Sequence, residues 1–385
     1  MGKSNFMTAN RLNNVKEYYF SIKLREVASL IKKGKPIINL GIGSPDLIPS
    51  NEIISELTES VNHPKANEYQ SYQGIPELRK AISDFYRYHY AVNIESDSEV
   101  LPLMGSKEGI MHISMAFLNA GDDVLIPNPG YPTYSSVTRL LEANPIFYDL
   151  NENNSWLPDL NKLEDLDLSK VKIMWVNYPH MPTGAEAKDG FFDDLISFAK
   201  KHKILIVNDN PYSFILTKHP KSILSIKGSM ENCMELNSLS KSFNMAGWRV
   251  GMLLGNSSNI NSVLKVKSNM DSGMFYGIQK GAIKALRLSN NWFEDLNEIY
   301  KQRRVIAWKV ADKLNAIYDK KAVGLFVWAK LPIDIQDVDI FLDKLLYEKN
   351  IFITPGKIFG SQGNRYIRIS LCVEKLKLKE SLNRL

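Results

Sequence analysis

Apolar residues along the middle of the chain follow two alternating patterns. From about Glu99, short runs rich in β-branched and aliphatic residues alternate with stretches of helical periodicity, which argues for an α/β layer architecture. The predicted strands cover 99–103, 123–126, 146–150, 171–176, 204–207, 233–236 and 250–254. Between the fourth and fifth of these, Phe192, Leu195, Ile196 and Ala199 recur at helical spacing and mark a helix packed on the sheet through core side chains. Past about Gly273 the periodicity becomes long and helical, and a short β-rich section at 323–331 and 351–369 closes the chain. This last part reads as a second domain. No internal repeat or low-complexity tract interrupts the pattern.

The length of 385 residues, with ordinary apolar and charged fractions, fits one large and one smaller domain. Single cores stop growing near about 250–300 residues. The net charge is +6, but Lys and Arg are interleaved with Asp and Glu, so no basic face of the kind a nucleic-acid binder needs is expected. Only Cys233 and Cys372 occur, far apart and without metal-ligand spacing, which speaks against a disulfide framework and a metal site and for a reducing compartment. The first sixteen residues are polar, and no apolar run approaches the roughly 18 residues of a membrane span. The cytoplasm is the expected location. Met1-Gly2 begins like a myristoylation signal, but Phe6 stands where Ser or Thr is required.

The strand at 99–103 runs into Gly105-Ser106-Lys107, and a helix with apolar positions Ile110, Ile113 and Phe117 follows, stopped by Gly121. That order aims free backbone N–H groups and the positive end of a helix at one point, where a phosphate could sit. Such turns are common, and no Gly-Lys-Ser/Thr sequence strengthens this one. Gly41-Ile42-Gly43-Ser44 lacks the third glycine of a dinucleotide fingerprint and reads as a tight turn or a close backbone approach.

The run Asn237-Ser238-Leu239-Ser240-Lys241-Ser242-Phe243-Asn244-Met245-Ala246-Gly247-Trp248-Arg249-Val250-Gly251 is far more specific. It resembles the cofactor-lysine motif of the class I and II aminotransferases, pyridoxal phosphate (PLP) enzymes of the aspartate aminotransferase fold, fold type I. The resemblance implies that Lys241 holds pyridoxal 5'-phosphate as a Schiff base and that Ser238 and Arg249 bind the cofactor phosphate, with Gly105, Ser106 and Lys107 at the helix end. The chemistry suits the residue types: an amine must attack the aldehyde, and a dianionic phosphate is best held by a guanidinium fork with hydroxyl and backbone donors. A lone lysine between strands would read as a solvated surface residue. The joint spacing of Ser, Lys and Arg does not.

Four further segments fall in the family's order, so the resemblance spans about Asn39 to Ser370. Val207-Asn208-Asp209-Asn210-Pro211-Tyr212 resembles the strand end whose Asp pairs with the protonated ring nitrogen and whose Tyr donates to the phenolic oxygen, which places Asp209 and Tyr212 in those roles. An anion there keeps the ring protonated and able to accept electrons. Pro127-Asn128-Pro129-Gly130-Tyr131-Pro132-Thr133-Tyr134 resembles the loop whose first aromatic, here Tyr131, stacks on the ring. The stretch from Tyr69 to Arg79 is similar to the one that lends a tyrosine to the neighbouring subunit's phosphate site; Tyr69 has the better spacing to Gly74 and Tyr72 is its rival. Tyr366-Ile367-Arg368-Ile369-Ser370 resembles the strand whose arginine clamps the substrate α-carboxylate, which assigns Arg368 that role, with Ile42 and Gly43 on the substrate side.

One departure stands out in Asn177-Tyr178-Pro179-His180-Met181-Pro182-Thr183-Gly184. Family members carry Asn before Pro-Thr-Gly as a donor to the phenolic oxygen, and here Met181, which cannot donate, takes its place. Either Tyr212 donates alone or another group such as His180 compensates.

The resemblance therefore implies a large PLP-binding domain at 39–275 with a mostly parallel central sheet flanked by helices. A smaller α+β domain at 276–385 would be joined by an N-terminal arm at 1–38. The expected activity is transfer of an amino group between an L-amino acid and a 2-oxo acid such as 2-oxoglutarate, by a homodimer with shared active sites. A carbon–sulfur β-lyase of the same fold is the alternative, because fold does not dictate reaction. A PLP-binding regulator is disfavoured by Lys241 together with Arg368. The donor amino acid stays open: the region 265–276 offers Lys265 and Lys267 but no second arginine for a distal carboxylate.

Overall fold

A computed structural model describes residues 6–385. In chain order the strands are β1 (Ile38–Asn39), β2 (Val100–Leu103), β3 (Asp123–Asn128), β4 (Asn144–Asp149), β5 (Val171–Val176), β6 (Leu205–Asp209), β7 (Cys233–Ser238), β8 (Gly251–Gly255), β9 (Ile317–Tyr318), β10 (Phe326–Lys330), β11 (Ile351–Phe352), β12 (Thr354–Pro355) and β13 (Tyr366–Ser370). All seven strands expected between 99 and 254 join one sheet in the order β2-β8-β7-β6-β5-β3-β4. β8 is antiparallel to both neighbours and the remaining ladders are parallel. Six strands therefore run one way, and their carboxyl ends open on a common edge, where ligands of such sheets bind.

A parallel sheet is covered on both faces, so its strands need apolar side chains on both sides. Ile173, Met174, Trp175 and Val176 of β5 and Met252, Leu253 and Leu254 of β8 are all buried. The helix expected from Phe192, Leu195, Ile196 and Ala199 covers Phe191–His202 and buries all four. Three strands run two residues further than the sequence pattern indicated: β3 continues to Asn128, β6 to Asp209 and β7 to Ser238. The extensions carry polar residues to the edge while keeping their backbone in the ladder.

The four-stranded sheet β12-β13-β10-β9 is antiparallel and has its own apolar cluster, in which Leu296, Tyr300 and Val310 meet Phe326, Trp328 and Ile367. Ile38 and Leu40, from the start of the chain, belong to this cluster, and β1 pairs in parallel with β11. Two expectations need correcting. The helix after Gly105 covers Ser106–Phe117 and leaves helical geometry at Leu118, so Gly121 does not stop it; Gly121 sits in the turn before β3 with a left-handed φ of 84°. The β-rich section at 351–369 is broken into β11, β12 and β13, with the single-turn helices Gly356–Phe359 and Ser361–Gly363 between β12 and β13.

Candidate functional site

A cavity of about 470 Å³ opens at the carboxyl edge of the seven-stranded sheet, and β10, β13 and the N-terminal helix Tyr19–Lys32 close it from the other side. Its size lies in the ordinary range for small-molecule sites, about 300–1,000 Å³. Ile42, Gly43, Ser106, Lys107, Tyr131, Met181, Asp209, Tyr212, Ser238, Lys241, Arg249 and Arg368 all line it. Residues up to 326 positions apart in the sequence thus converge on one space.

The phosphate corner is built by local geometry. Gly105 has φ +91°, and a Cβ there would lie 2.0 Å from Nη2 of Arg249, so only glycine lets the guanidinium cross the start of the helix Ser106–Phe117. Arg249 itself has φ 58°, a conformation that bulky side chains adopt at a cost of about 1–3 kcal/mol where their surroundings enforce it. Its Nη1 donates to the Ala246 carbonyl at 2.9 Å. Ser238 caps the short helix Leu239–Ser242 by accepting from the Ser240 N–H at 3.0 Å, which brings two serine hydroxyls to the corner. Ser240 had been given no role from sequence, although it lies inside the motif.

Lys241 leaves that short helix and donates from Nζ to the Gly43 carbonyl at 2.6 Å. Burial lowers its pKa, and the Arg368 and Arg249 cations push the same way. Gly43 is glycine because of close approach rather than turn geometry: a Cβ would lie 2.4 Å from Cζ of Phe326.

Asp209 ends β6 inside the protein. Its Oδ2 accepts from the Tyr134 hydroxyl at 2.8 Å, while Oδ1 is buried without a partner among the described residues. Burial raises its pKa to about 6. Tyr134 in turn stacks on Trp175, with centroids 4.9 Å apart and planes 7° apart. Tyr131 crosses Tyr134 edge-on at 5.6 Å, and Tyr212, also buried, lies edge-on to Phe326 at 6.1 Å.

Arg368 projects from β13, buried to 5% exposure. Nη2 donates to the Gly41 carbonyl at 2.8 Å, Nη1 lies 3.4 Å from Sδ of Met181, and Nε has no partner among the described residues. The Met181 thioether is thus turned to the arginine. His180 does not line the cavity; its Nδ1 pairs with the Thr183 hydroxyl at 2.8 Å, and burial lowers its pKa to about 3. The expectation that His180 replaces a missing donor is therefore corrected: its ring is held between Thr183 and the Pro129 backbone, outside the cavity. Asn177 lines the cavity instead, accepting from the Met181 N–H at 2.7 Å and donating to the Asp209 carbonyl, which ties the loop to the end of β6.

Tyr69 and Tyr72 are not brought to this cavity. Tyr69 is 90% exposed. Lys267 is likewise unavailable there, being fully buried and paired with Asp271 at 2.7 Å. The wall formed by Tyr18, Phe20 and Phe359 had no sequence signal beyond aromatic composition.

The donor set fits a phosphorylated pyridine aldehyde. Hydroxyls, an arginine and a helix N-terminus meet at one end, an amine stands in the middle, and an orphaned buried carboxylate oxygen waits at the far end. Comparisons with known proteins agree. The family model for aminotransferase class I and II matches residues 35–385. The chain is 37% identical over 379 residues to LL-diaminopimelate aminotransferase of Halothermothrix orenii, covering 98% of this chain and 97% of that one. The Aquifex aeolicus enzyme of the same name is 36% identical, with 99% and 98% coverage. Among solved structures, apo-BacF from Bacillus subtilis superposes with a TM-score of 0.94 at 35% identity over 98% of this chain and 97% of that one. An aminotransferase from Staphylococcus aureus gives 0.89 at 32% identity, with 98% of each chain covered.

Proposed function

The chain belongs to the class I and II aminotransferases, which makes it a PLP-dependent transaminase, and from that premise we propose how its residues divide the work and what it acts on. It moves an amino group from an L-amino acid to a 2-oxo acid, with 2-oxoglutarate as the acceptor. The observation that carries the assignment of roles is the convergence of Lys241, Asp209 and Arg368 on one cavity.

The phosphate would be held by the Ser106 end of its helix, by the Ser238 and Ser240 hydroxyls and by Arg249, a set of charge-assisted and neutral donors. Asp209, with its unpartnered Oδ1, would hold a proton at the ring nitrogen, Tyr212 would donate to the ring oxygen, and Tyr131 would cover the ring face. When bound, the cofactor supplies an electron sink for the pair released at the substrate Cα. Lys241 Nζ would take the proton from that Cα; burial, with the Arg368 and Arg249 cations, disfavours its charged form, and the tether provides proximity. Arg368 orients the substrate by its carboxylate so that the Cα–H faces the lysine.

A panel of L-amino acids with 2-oxoglutarate, read as 2-oxo acid formation, tests the activity. Glutamate should appear in equal amount to the new 2-oxo acid. Pyruvate and ammonia formed without an acceptor would instead support a β-lyase, a reading that the aminotransferase relatives do not favour. The two buried free thiols, Cys233 and Cys372, suit a cytoplasmic placement. No helix among the described residues is long and apolar enough to cross a membrane.

We also propose a two-fold homodimer with shared sites. Tyr69, Tyr72, Met270 and Phe275 are large exposed side chains on two segments whose backbones meet at Gly273, where a Cβ would lie 2.5 Å from the Gln70 carbonyl oxygen. A second copy would cover such a surface. Mixing inactive Tyr69→Ala and Lys241→Ala proteins should restore up to about a quarter of the wild-type rate, because half of the reassorted dimers carry one intact site. No recovery after verified subunit exchange would argue against Tyr69 crossing the interface.

A further inference from the structure

We infer that Phe20 is a positioning residue for the substrate α-carboxylate: its ring is one wall of an aromatic cage that holds the Arg368 guanidinium where a protein carboxylate would otherwise stand. The inference rests on the carboxylate role of Arg368 given above. It goes further by assigning part of that site to the N-terminal helix.

A buried arginine ordinarily needs a paired anion, because desolvating a lone cation is costly. Arg368 has none. Its guanidinium carbon lies 3.9 Å from the ring centre of Phe326, 4.7 Å from that of Phe359 and 5.3 Å from that of Phe20. Each lies within the roughly 6 Å at which a ring face attracts a cation. Asp46 is committed through contacts of 2.6 and 2.9 Å to Arg303, which also reaches the Leu371 carbonyl just past this strand. Ring faces attract the guanidinium without neutralising it. They exclude water, which strengthens any pair formed there, and they leave the full charge for an incoming carboxylate. A protein carboxylate in the same place would compete with the substrate.

The three rings are not equally fixed. Phe326 is buried against Tyr212, and Phe359 is buried at 6.0 Å from Trp328. Phe20 is only partly buried and rides on a helix whose single buried residue is Val27. That helix is held through Val27 against Leu346 and Phe352, through Lys23 to Asp343 at 3.2 Å and through the Tyr347 hydroxyl to Glu26. Just before it, the Tyr18 ring lies 4.5 Å from the ammonium of Lys107 at the phosphate corner. The arm therefore spans the mouth of the cavity, and docking it completes the cage.

The test uses the holoenzyme and its Phe20→Leu, Phe20→Tyr and Arg368→Gln forms, with Phe20→Leu also made in the Arg368→Gln background. Leucine keeps the bulk and loses the ring face; tyrosine keeps the face. Dissociation constants for acetate, 3-phenylpropionate and glutarate are read from perturbation of the coenzyme absorption band, and KM and kcat are measured for the best amino donor of the panel. Phe20→Leu should weaken each bound carboxylate and raise KM by about tenfold, with kcat changed less than about threefold, the loss of one cation–π wall. Phe20→Tyr should restore both to within about twofold. In the Arg368→Gln background, which offers no cation for a ring face to attract, Phe20→Leu should add little, because the two residues act through one interaction. Equal penalties in both backgrounds, failure of tyrosine to rescue, or unchanged carboxylate affinity and KM in Phe20→Leu would overturn the inference. If no amino donor alters the coenzyme band of the wild-type holoenzyme, it is the aminotransferase reading that falls.

Discussion

Lys241→Ala should lower turnover by roughly four orders of magnitude or more, because in the proposed assignment one side chain supplies both the covalent hold on the cofactor and the proton transfer at the substrate Cα. The geometry limits substitutes. Nζ is positioned by the Gly43 carbonyl at 2.6 Å and hemmed in by the Arg368 and Arg249 charges. Lys107 also lines the cavity, but its ammonium lies against the Tyr18 ring, at the phosphate corner. Borohydride treatment of the wild-type holoenzyme should fix the cofactor to a peptide containing Lys241, and the variant should show no such adduct. Recovery of the adduct on Lys107 or any other lysine would refute the assignment. The fold should persist, since alanine removes no core contact and the short helix stays capped by Ser238.

The legible part of this site was the part written locally. Ser238, Lys241 and Arg249 lie within one short strand–helix–turn, so their spacing survives folding almost unchanged. Asp209 and Tyr212 flank a single strand end and were readable for the same reason. The strands themselves were legible because a sheet covered on both faces needs continuous apolar runs, and those runs stop where the polar site begins. The contacts that cross the chain were not legible. Nothing local distinguishes Phe20 from any aromatic on an amphipathic helix, and its meeting with Arg368, 348 positions later, exists only after β13 is placed beside β10 and β12. The Gly41-Ile42-Gly43 run shows the same limit. A close backbone approach was foreseeable, but that one carbonyl serves Arg368 and the next-but-one serves Lys241 was not. Met181 was recognised as a non-donor, yet its contact with the arginine required the fold, as did the buried hydrogen-bonded set of Glu235, Tyr86, Asn208 and Asn210 behind Asp209.

Asp209→Asn should have opposite effects on catalysis and on stability. In the holoenzyme the substitution removes the anion proposed to hold the proton at the ring nitrogen, and kcat should fall by roughly two to three orders of magnitude, the usual scale for losing one preorganised electrostatic partner. In the protein without cofactor, the same carboxylate is a liability. Burial, helped by the nearby negative charge of Glu235 and only partly offset by the Tyr134 hydrogen bond, raises its pKa from 3.8 to about 6. The folded state thus holds the proton more tightly than the unfolded chain. The resulting stability is fully present below the unfolded value of 3.8 and is lost as pH rises through about 6, a change of about 3 kcal/mol at 1.36 kcal/mol for each unit. Asparagine does not titrate, so the stability difference between the variant and the wild type should shift in the variant's favour by up to about that amount between pH 4 and pH 7 and then level off. Urea unfolding of the two apo-proteins at four pH values measures it directly. A difference independent of pH would mean that Asp209 is ionised in the folded apo-protein with its ordinary pKa. The orphaned Oδ1 would then have to be solvated, and the case for a site that waits for a ring nitrogen would lose its electrostatic half.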